Sequence, residues 1–144
     1  MSTKIAELPL ATSKDQILNV PDRATEDVPV PEWGFRVTVK ALSGTDRDKY
    51  QADFWQLVPD KAGMRVTGFN RQNQMARLVA LSIVNADGRP MFTDADVIAL
   101  GQKSAVALER VSDVAMRLSG LQAATVEALK DGLKETRNGT HGSD

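Results

Sequence analysis

Few residues of this chain have side chains that could carry out chemistry. The 144 residues include no cysteine and one histidine, which excludes disulfides, thiolate metal sites and cysteine nucleophiles. His141 is followed by only three residues and lies among Gly, Asn and Thr, where no Ser-His-Asp arrangement would be held rigidly. The residue types therefore argue against an enzyme, and we predict no catalytic residue.

Two pairs of acidic residues could suggest a site for a hard cation. Asp94 and Asp96 directly follow Thr93, and Asp46 and Asp48 repeat this arrangement. An oxygen cage for such a cation needs about six ligands. A hydroxyl residue followed by acids is instead typical of a capped helix start, where the helix dipole favours negative charge. We predict two helix starts here, no metal site and no cofactor.

Residues 101–104 (Gly-Gln-Lys-Ser) faintly resemble the end of a phosphate-binding loop. In that loop a glycine directly precedes the lysine, and a strand leads into the turn. Gln102 occupies the glycine position here, and no strand is predicted directly before the turn. We interpret these residues as the start of a helix.

Three basic residues, Lys103, Arg110 and Arg117, are spaced seven apart. On a helix they lie on the side opposite Leu108 and Val111. The whole chain carries 18 Lys and Arg against 19 Asp and Glu. On so balanced a chain we interpret the stripe as a solvated face rather than a partner surface.

The composition bounds the class of protein. With 42% hydrophobic residues, 26% charged residues and a net charge of -1, the chain is typical of a soluble globular protein and predicts neither a nucleic-acid nor a membrane partner. Its most hydrophobic stretch, residues 78–84, is far shorter than the roughly 20 residues of a membrane span. Residues 1–10 contain only one basic residue and no continuous apolar run, unlike a signal peptide. We expect a cytoplasmic protein.

Prolines and helix caps divide the chain. Four of the six prolines lie in the first 31 residues, where they favour extended backbone. We predict an extended N-terminal arm over residues 1–26, a single globular domain over residues 27–134 and a flexible tail over residues 135–144. Within the arm, Ser13 and Gln16 have the spacing of a capping box, and Ile17 and Leu18 are expected to dock that helical turn.

A β-hairpin follows the arm. Val28 and Val30, and then Val37 and Val39, alternate with polar residues and proline, which is the two-residue period of half-buried strands. Residues 32–34 connect the two strands. Because an isolated hairpin is marginal in water, we expect its valine face to pack on helices or to pair with another copy of the chain.

Helices account for most of the remaining chain, according to apolar spacing, caps, and glycine or proline stops. They are predicted at residues 45–58, 71–85, 93–100, 102–119 and 122–134, with a long loop at residues 59–70. The second should be the most buried, and the last two should form an antiparallel pair. The fold class is α+β and mostly α, with the N-terminal arm and the β-hairpin packed on a bundle of about four to five helices. The apolar faces of the first two helices are Tyr50, Phe54, Leu57 and Val58, and Met75, Leu78, Val79 and Ile83.

Four large apolar residues are hard to place in this core. Trp33 lies at the tip of the hairpin, Trp55 at the edge of a helix face, and Met64 and Phe69 in the long loop. Each is explained equally well by partial burial and by an interface with a partner or another subunit. We take all four as candidate partner-binding residues.

Several short segments, taken in their order along the chain, carry a family resemblance. They are residues 30–34 (Val-Pro-Glu-Trp-Gly), 42–48 (Leu-Ser-Gly-Thr-Asp-Arg-Asp), 77–84 (Arg-Leu-Val-Ala-Leu-Ser-Ile-Val) with 87–88 (Asp-Gly), 92–97 (Phe-Thr-Asp-Ala-Asp-Val), 100–104 (Leu-Gly-Gln-Lys-Ser) and 117–121 (Arg-Leu-Ser-Gly-Leu). Together these segments resemble the tail assembly chaperones of long, flexible-tailed phages of actinobacterial hosts. After the corner at Gly120 and Leu121, family members often carry a proline and acids, whereas residues 122–124 here are Gln-Ala-Ala, so the start of the last helix departs from the pattern.

This resemblance implies a non-enzymatic protein that coats the aggregation-prone tape measure protein and recruits major tail (tube) protein as the tube polymerises. It further implies that the protein forms a homo-oligomer. A longer form would be made by ribosomal frameshifting, with this chain as the short product. The protein would be found in the cytoplasm of the infected host and not in the mature virion. The alternative is a structural tail or head-tail connector subunit that remains in the virion.

Overall fold

The computed structural model describes residues 7–121, and for residues 56, 57, 66 and 69 it describes the backbone only. The predicted helix at residues 122–134 and the tail at residues 135–144 lie outside the described residues. In chain order the elements are α1 (Lys14–Leu18), β1 (Thr25–Val30), β2 (Phe35–Lys40), α2 (Gly44–Phe54), β3 (Trp55–Asp60), β4 (Gly63–Phe69), α3 (Gln74–Ser82), β5 (Ile83–Val84), a 3-10 turn (Asp94–Asp96), α4 (Val97–Gly101) and α5 (Ala105–Ser119). The fold is α+β and mostly helical, as predicted.

The short helix α1 begins where the capping pattern places it. The Ser13 hydroxyl accepts a hydrogen bond from the Gln16 backbone N–H, which satisfies one of the free donors at the helix start. The expectation that Ile17 and Leu18 dock this helix is wrong, because both side chains are exposed.

The β1–β2 hairpin is confirmed, and its valine face packs on helices. Val28, Val30 and Val39 are buried in the main core with side chains of α3 and α5. Gly34 closes the turn at a φ of 73°, in the left-handed region that glycine adopts without a steric penalty. The sheet has a third strand, because β5 pairs with β2 through Val39 and Ile83.

Helix α2 is shorter than the predicted helix at residues 45–58. Its start is confirmed, since the Ser43 hydroxyl accepts from the Asp46 N–H at 3.1 Å, and Tyr50 is buried. Its end is wrong: the backbone becomes extended at Trp55, and residues 55–60 form β3. The physical reason is that β4 offers these residues cross-strand hydrogen bonds that compete with the helical ones.

The predicted loop at residues 59–70 is also wrong, because most of it forms β3 and β4, which pair as an antiparallel hairpin. Asp60 begins the turn by accepting a hydrogen bond from the Ala62 N–H at 2.8 Å, an arrangement that aspartate side chains commonly make in turns. Gly63 follows at a φ of 124°, which strongly favours glycine.

Helix α3 is the buried helix that the sequence predicts, although it occupies less of the chain than residues 71–85. Leu78 and Val79 are almost fully buried, but Met75 exposes 38% of its surface and does not belong to the buried face. The helix ends at Ser82 because Ile83 and Val84 pair with β2, which supplies the hydrogen bonds of a third strand.

The C-terminal elements match their predicted signals. Thr93 and Asp96 form a reciprocal capping box, with 2.8 Å between the Thr93 nitrogen and Asp96 Oδ2. In the described part of the chain, no cluster of three or more Asp, Glu or His residues could hold a metal ion. Helix α5 buries its seam at Leu108 and Val111 and ends at Gly120 with a φ of 70°, a common helix C-cap.

The basic stripe is a solvated face, as interpreted, since Lys103, Arg110 and Arg117 are all exposed, but two of its residues also form ion pairs that the sequence did not predict. Arg110 pairs with Glu32, and Arg117 pairs with Glu26, each at 2.8 Å. Both carboxylates belong to the β1–β2 hairpin, so Arg110 and Arg117 connect α5 to this hairpin. Lys103 precedes α5 and is exposed. No helix within residues 7–121 is long and apolar enough to cross a membrane.

Candidate functional site: the β3–β4 hairpin

The β3–β4 hairpin gathers three of the four candidate partner-binding residues. Trp55 is the first residue of β3 and is paired in register with Phe69, the last residue of β4. Met64, near the turn, is paired with Pro59. The side chain of Phe69 lies outside the described residues, so its placement here is that of its backbone.

A bulge keeps these positions on one face. Gln56 pairs with Gly68 and Leu57 pairs with Val66, so Thr67 is the extra residue of a bulge in β4. Directly paired positions share a face of an antiparallel sheet, and positions alternate along a strand. Positions 55, 57 and 59 of β3 therefore share a face with positions 69, 66 and 64 of β4, and we call this set the apolar face.

The two faces of the hairpin differ in chemistry. Every position of the apolar face is occupied by Trp, Leu, Pro, Phe, Val or Met, whereas the opposite face carries Gln56, Val58, Asp60, Gly63, Arg65 and Gly68. Met64 on the apolar face exposes 60% of its surface, and Val58 on the other face exposes 42%. The hairpin forms a two-stranded sheet of its own in the described part of the chain, an arrangement that is marginal in water unless something packs on it.

The base of the hairpin is firmly attached to the body. The Trp55 ring packs edge to face on Phe54, with 5.9 Å between centroids and 68° between planes. The Arg77 guanidinium of α3 donates to the carbonyl of Asn70 at 2.9 Å and to that of Gln72. The end of β4 and the start of α3 are therefore held together, while the turn at residues 60–63 projects from this base.

Polar contacts also fix α2, which leads into the hairpin. The Gln74 amide of α3 donates to the Tyr50 hydroxyl at 3.1 Å, and burial raises the pKa of Tyr50. Lys49 forms an ion pair with Asp94, whose hydrogen bond raises the pKa of the lysine. The hairpin thus extends from a rigid base, which favours recognition by a preformed surface over folding on contact.

Trp33 is placed elsewhere, in the turn of the β1–β2 hairpin. It is partly buried against the main core, and its indole Nε1 is buried without a hydrogen-bond partner among the described residues. The structure therefore brings Trp55, Met64 and the backbone of Phe69 onto one hairpin and leaves Trp33 in a different sheet.

Sequence reasoning missed Pro59 and positions 57 and 66 as members of the apolar face. A signal was present, since Trp55, Leu57 and Pro59 occupy alternate positions of the chain, and so do Met64 and Val66. Thr67 interrupts this alternation before Phe69, which hides the strand period.

Comparison with known proteins supplies one match. A family model described as phage tail assembly chaperone matches residues 14–132, which is well over half of the chain. Neither a curated protein nor a solved structure shows a significant match.

Proposed function

The chain belongs to the phage tail assembly chaperone family, and from this premise we propose that it binds the tape measure protein through the apolar face of the β3–β4 hairpin and keeps it soluble. The role is non-enzymatic. It is carried out in the cytoplasm of the infected host, and the protein leaves before the virion is complete.

The observation that carries this proposal is the apolar face itself. Six apolar positions share one side of a hairpin that is rigid at its base and exposes Met64 near its tip. A client helix with an apolar stripe would remove this surface from water, at a gain of about 25 cal/mol for each Å² of apolar area buried.

Coating a long client requires many copies. Each copy contributes one small apolar contact, and contacts repeated along one tape measure chain add through avidity. The proposal therefore includes a homo-oligomer, which a longer frameshifted form joins. Major tail (tube) protein is then recruited to the coated tape measure and displaces the chaperone as the tube grows.

The first test is co-expression of the full chain with the tape measure protein of its phage, followed by affinity capture and sizing. We expect a soluble complex with several copies of this chain, formed only when this chain is present. A tape measure protein that stays insoluble while this chain elutes alone would contradict the proposal.

A pair of variants tests the surface. Met64→Glu places a charge on the apolar face, whereas Val58→Glu places the same charge on the opposite face of the same hairpin. We expect Met64→Glu to reduce tape measure capture by about tenfold or more, as for an anchor residue at an interface, and Val58→Glu to leave capture near that of the unmodified chain. Equal losses in the two variants would mean that the face is not the contact surface.

Mass spectrometry of purified virions separates the chaperone from a retained tail or head-tail connector subunit. The chaperone is absent from finished particles. Stoichiometric recovery of this chain from purified virions would support the retained subunit instead.

A further inference from the structure

The part of the N-terminal arm that the structure describes before β1, residues 7–24, exposes apolar side chains that nothing in the described chain covers. The arm has a specific structure, since Ser13 caps α1. It is also attached to the body, because Arg23 Nε donates to the Ala41 carbonyl at 2.8 Å. Its exposed apolar residues are Leu8, Leu10, Ile17, Leu18 and Val20.

A groove of about 290 Å³ lies between the start of α3 and the turn that leads into α5. Met75, Ala105 and Leu108 contribute apolar surface to its lining. Gly101 stands beside it, where an added Cβ would press on the Asn73 side chain. We call this feature the α3–α5 groove.

The charges of the groove and the arm are complementary. Arg71 and Lys103 line the groove, and neither has a carboxylate partner among the described residues. The arm carries three carboxylates, Glu7, Asp15 and Asp22, against Lys14 and Arg23. With three carboxylates against two cations the arm is net acidic, and Asp15 lies in the first turn of α1 itself.

The arm and the groove lie at opposite ends of α5. The ion pairs of Arg117 with Glu26 and of Arg110 with Glu32 show that β1 runs antiparallel to α5. The arm, which precedes β1, therefore leaves the body near the C-terminal end of α5. The groove reaches α5 at Leu108, roughly 16 Å back along the helix axis at 1.5 Å per residue.

We propose that α1 of one copy of this chain packs in the α3–α5 groove of a second copy, with Ile17 and Leu18 against its apolar lining and Asp15 near Arg71 and Lys103. The contact joins two different surfaces at opposite ends of the molecule. Such a contact is heterologous, so each added copy leaves one arm and one groove open and the assembly grows head to tail. It rests on the homo-oligomer of the proposed function and deepens it by naming the two surfaces that join the copies.

The β1 edge is a poorer route to self-association. The Ala41 N–H donates to the Ala24 carbonyl, so the even-numbered residues of β1 face β2 and the odd-numbered ones turn their backbone groups outward. Pro29 is one of these outward positions and has no N–H to donate. Proline at a sheet edge blocks strand addition, which favours the arm over the β1 edge as the segment that joins copies.

Sedimentation velocity of the full chain alone, over a wide concentration range, tests the proposal. The unmodified chain should grow beyond a dimer. An arm variant, Ile17→Ser with Leu18→Ser, and a groove variant, Met75→Glu with Lys103→Glu, should each raise the apparent Kd of self-association at least about tenfold. All four substituted side chains are exposed, so folding should survive, which circular dichroism checks.

Mixing the two variants gives the decisive result. The arm variant retains a groove and the groove variant retains an arm, so an equimolar mixture should form a 1:1 dimer that grows no further. Ile98→Ser, which alters an equally exposed isoleucine outside both surfaces, should assemble like the unmodified chain. A monomeric unmodified chain, a variant that assembles normally on its own, or a mixture that grows past the dimer would each overturn the proposal. Met64→Glu should lower tape measure capture without changing self-association, so failure of either proposal is distinguishable from failure of the other.

Discussion

Arg110 on α5 donates a hydrogen bond to Glu32 in the β1–β2 turn, with 2.8 Å between Nη2 and Oε2. The two residues are 78 positions apart in the chain. With the pair of Arg117 and Glu26, this contact fixes the direction of α5 relative to the sheet, and hence the ends of the molecule at which the arm and the α3–α5 groove lie.

The Glu32–Arg110 pair predicts a pH-dependent contribution to stability. The hydrogen bond from Arg110 is the main cause that lowers the pKa of Glu32. A carboxyl whose pKa is lower in the folded chain stabilises it above the unfolded pKa and loses that effect as pH falls through the folded pKa. Glu32→Gln should therefore lower Tm slightly at pH 7, and the difference should shrink as pH falls below about 4 and disappear once pH is below the folded pKa of Glu32. Glu109→Gln is the control, because Glu109 is exposed and forms no ion pair among the described residues. A Tm difference for Glu32→Gln that does not shrink between pH 7 and the acidic end of the titration would contradict this account.

Leu78 in α3 is almost fully buried, and its removal should be among the most damaging single changes. Leu78→Ala loses apolar burial and leaves a cavity, so we expect a loss of about 2–5 kcal/mol in the free energy of unfolding. Ile98→Ala is the matched control, since Ile98 exposes 71% of its surface and should change stability by about 0.5 kcal/mol or less. Urea denaturation measures both. Similar losses would mean that α3 is not the centre of the core.

Two serine caps should differ in their effect on the whole fold. Ser43 caps α2, whose Tyr50 enters the core, so Ser43→Ala should cost about 1 kcal/mol of global stability. Ser13 makes the same kind of cap on α1, but α1 buries no residue in the isolated chain. Ser13→Ala should therefore leave the thermal midpoint of the dilute protein unchanged. An equal drop in Tm for both variants would show that α1 contributes to the folded body.

Gly101 and Gly44 provide a test of local crowding. A Cβ at Gly101 would press on the Asn73 side chain, whereas a Cβ at Gly44 would meet nothing within 4 Å. The closest atom is Asn73 Oδ1, the end of a side chain that must shift, so we expect Gly101→Ala to be less stable than Gly44→Ala by up to about 1 kcal/mol, and Gly44→Ala to be neutral or slightly stabilising because alanine favours helix. Chemical denaturation compares the two, and equal stability of the two variants would show that the Asn73 side chain moves aside freely.

The sequence by itself determined the elements whose signals are local. Alternating valines at 28, 30, 37 and 39 are sufficient for the β1–β2 hairpin, since one face of the strands must leave water. Hydroxyl residues at Ser43 and Ser104 mark helix starts, and Gly120 marks the end of α5. The ordered segments between residues 30 and 121 also carried the resemblance to tail assembly chaperones, a family that the match over residues 14–132 confirms.

Only the tertiary structure decided the secondary structure of residues 55–69 and of residues 83–84. Leu57 and Val58 continue the helical spacing of α2, and no local rule shows that β4 will offer them a ladder instead. The bulge at Thr67 conceals the alternation that leads to Phe69. Ile83 and Val84 likewise continue the apolar spacing of α3, but they pair with the open edge of β2 as strand β5.

The roles of charged residues were decided at the same level. Arg110 and Arg117 have the spacing of a solvated stripe, yet their carboxylate partners lie 78 and 91 residues away in the chain. Periodicity reports which face of a helix is apolar, but it contains no information about which distant segment packs beside the other face. For that reason the sequence located the arm and most of the apolar residues, while their grouping into an apolar face and an open groove emerged only from the fold.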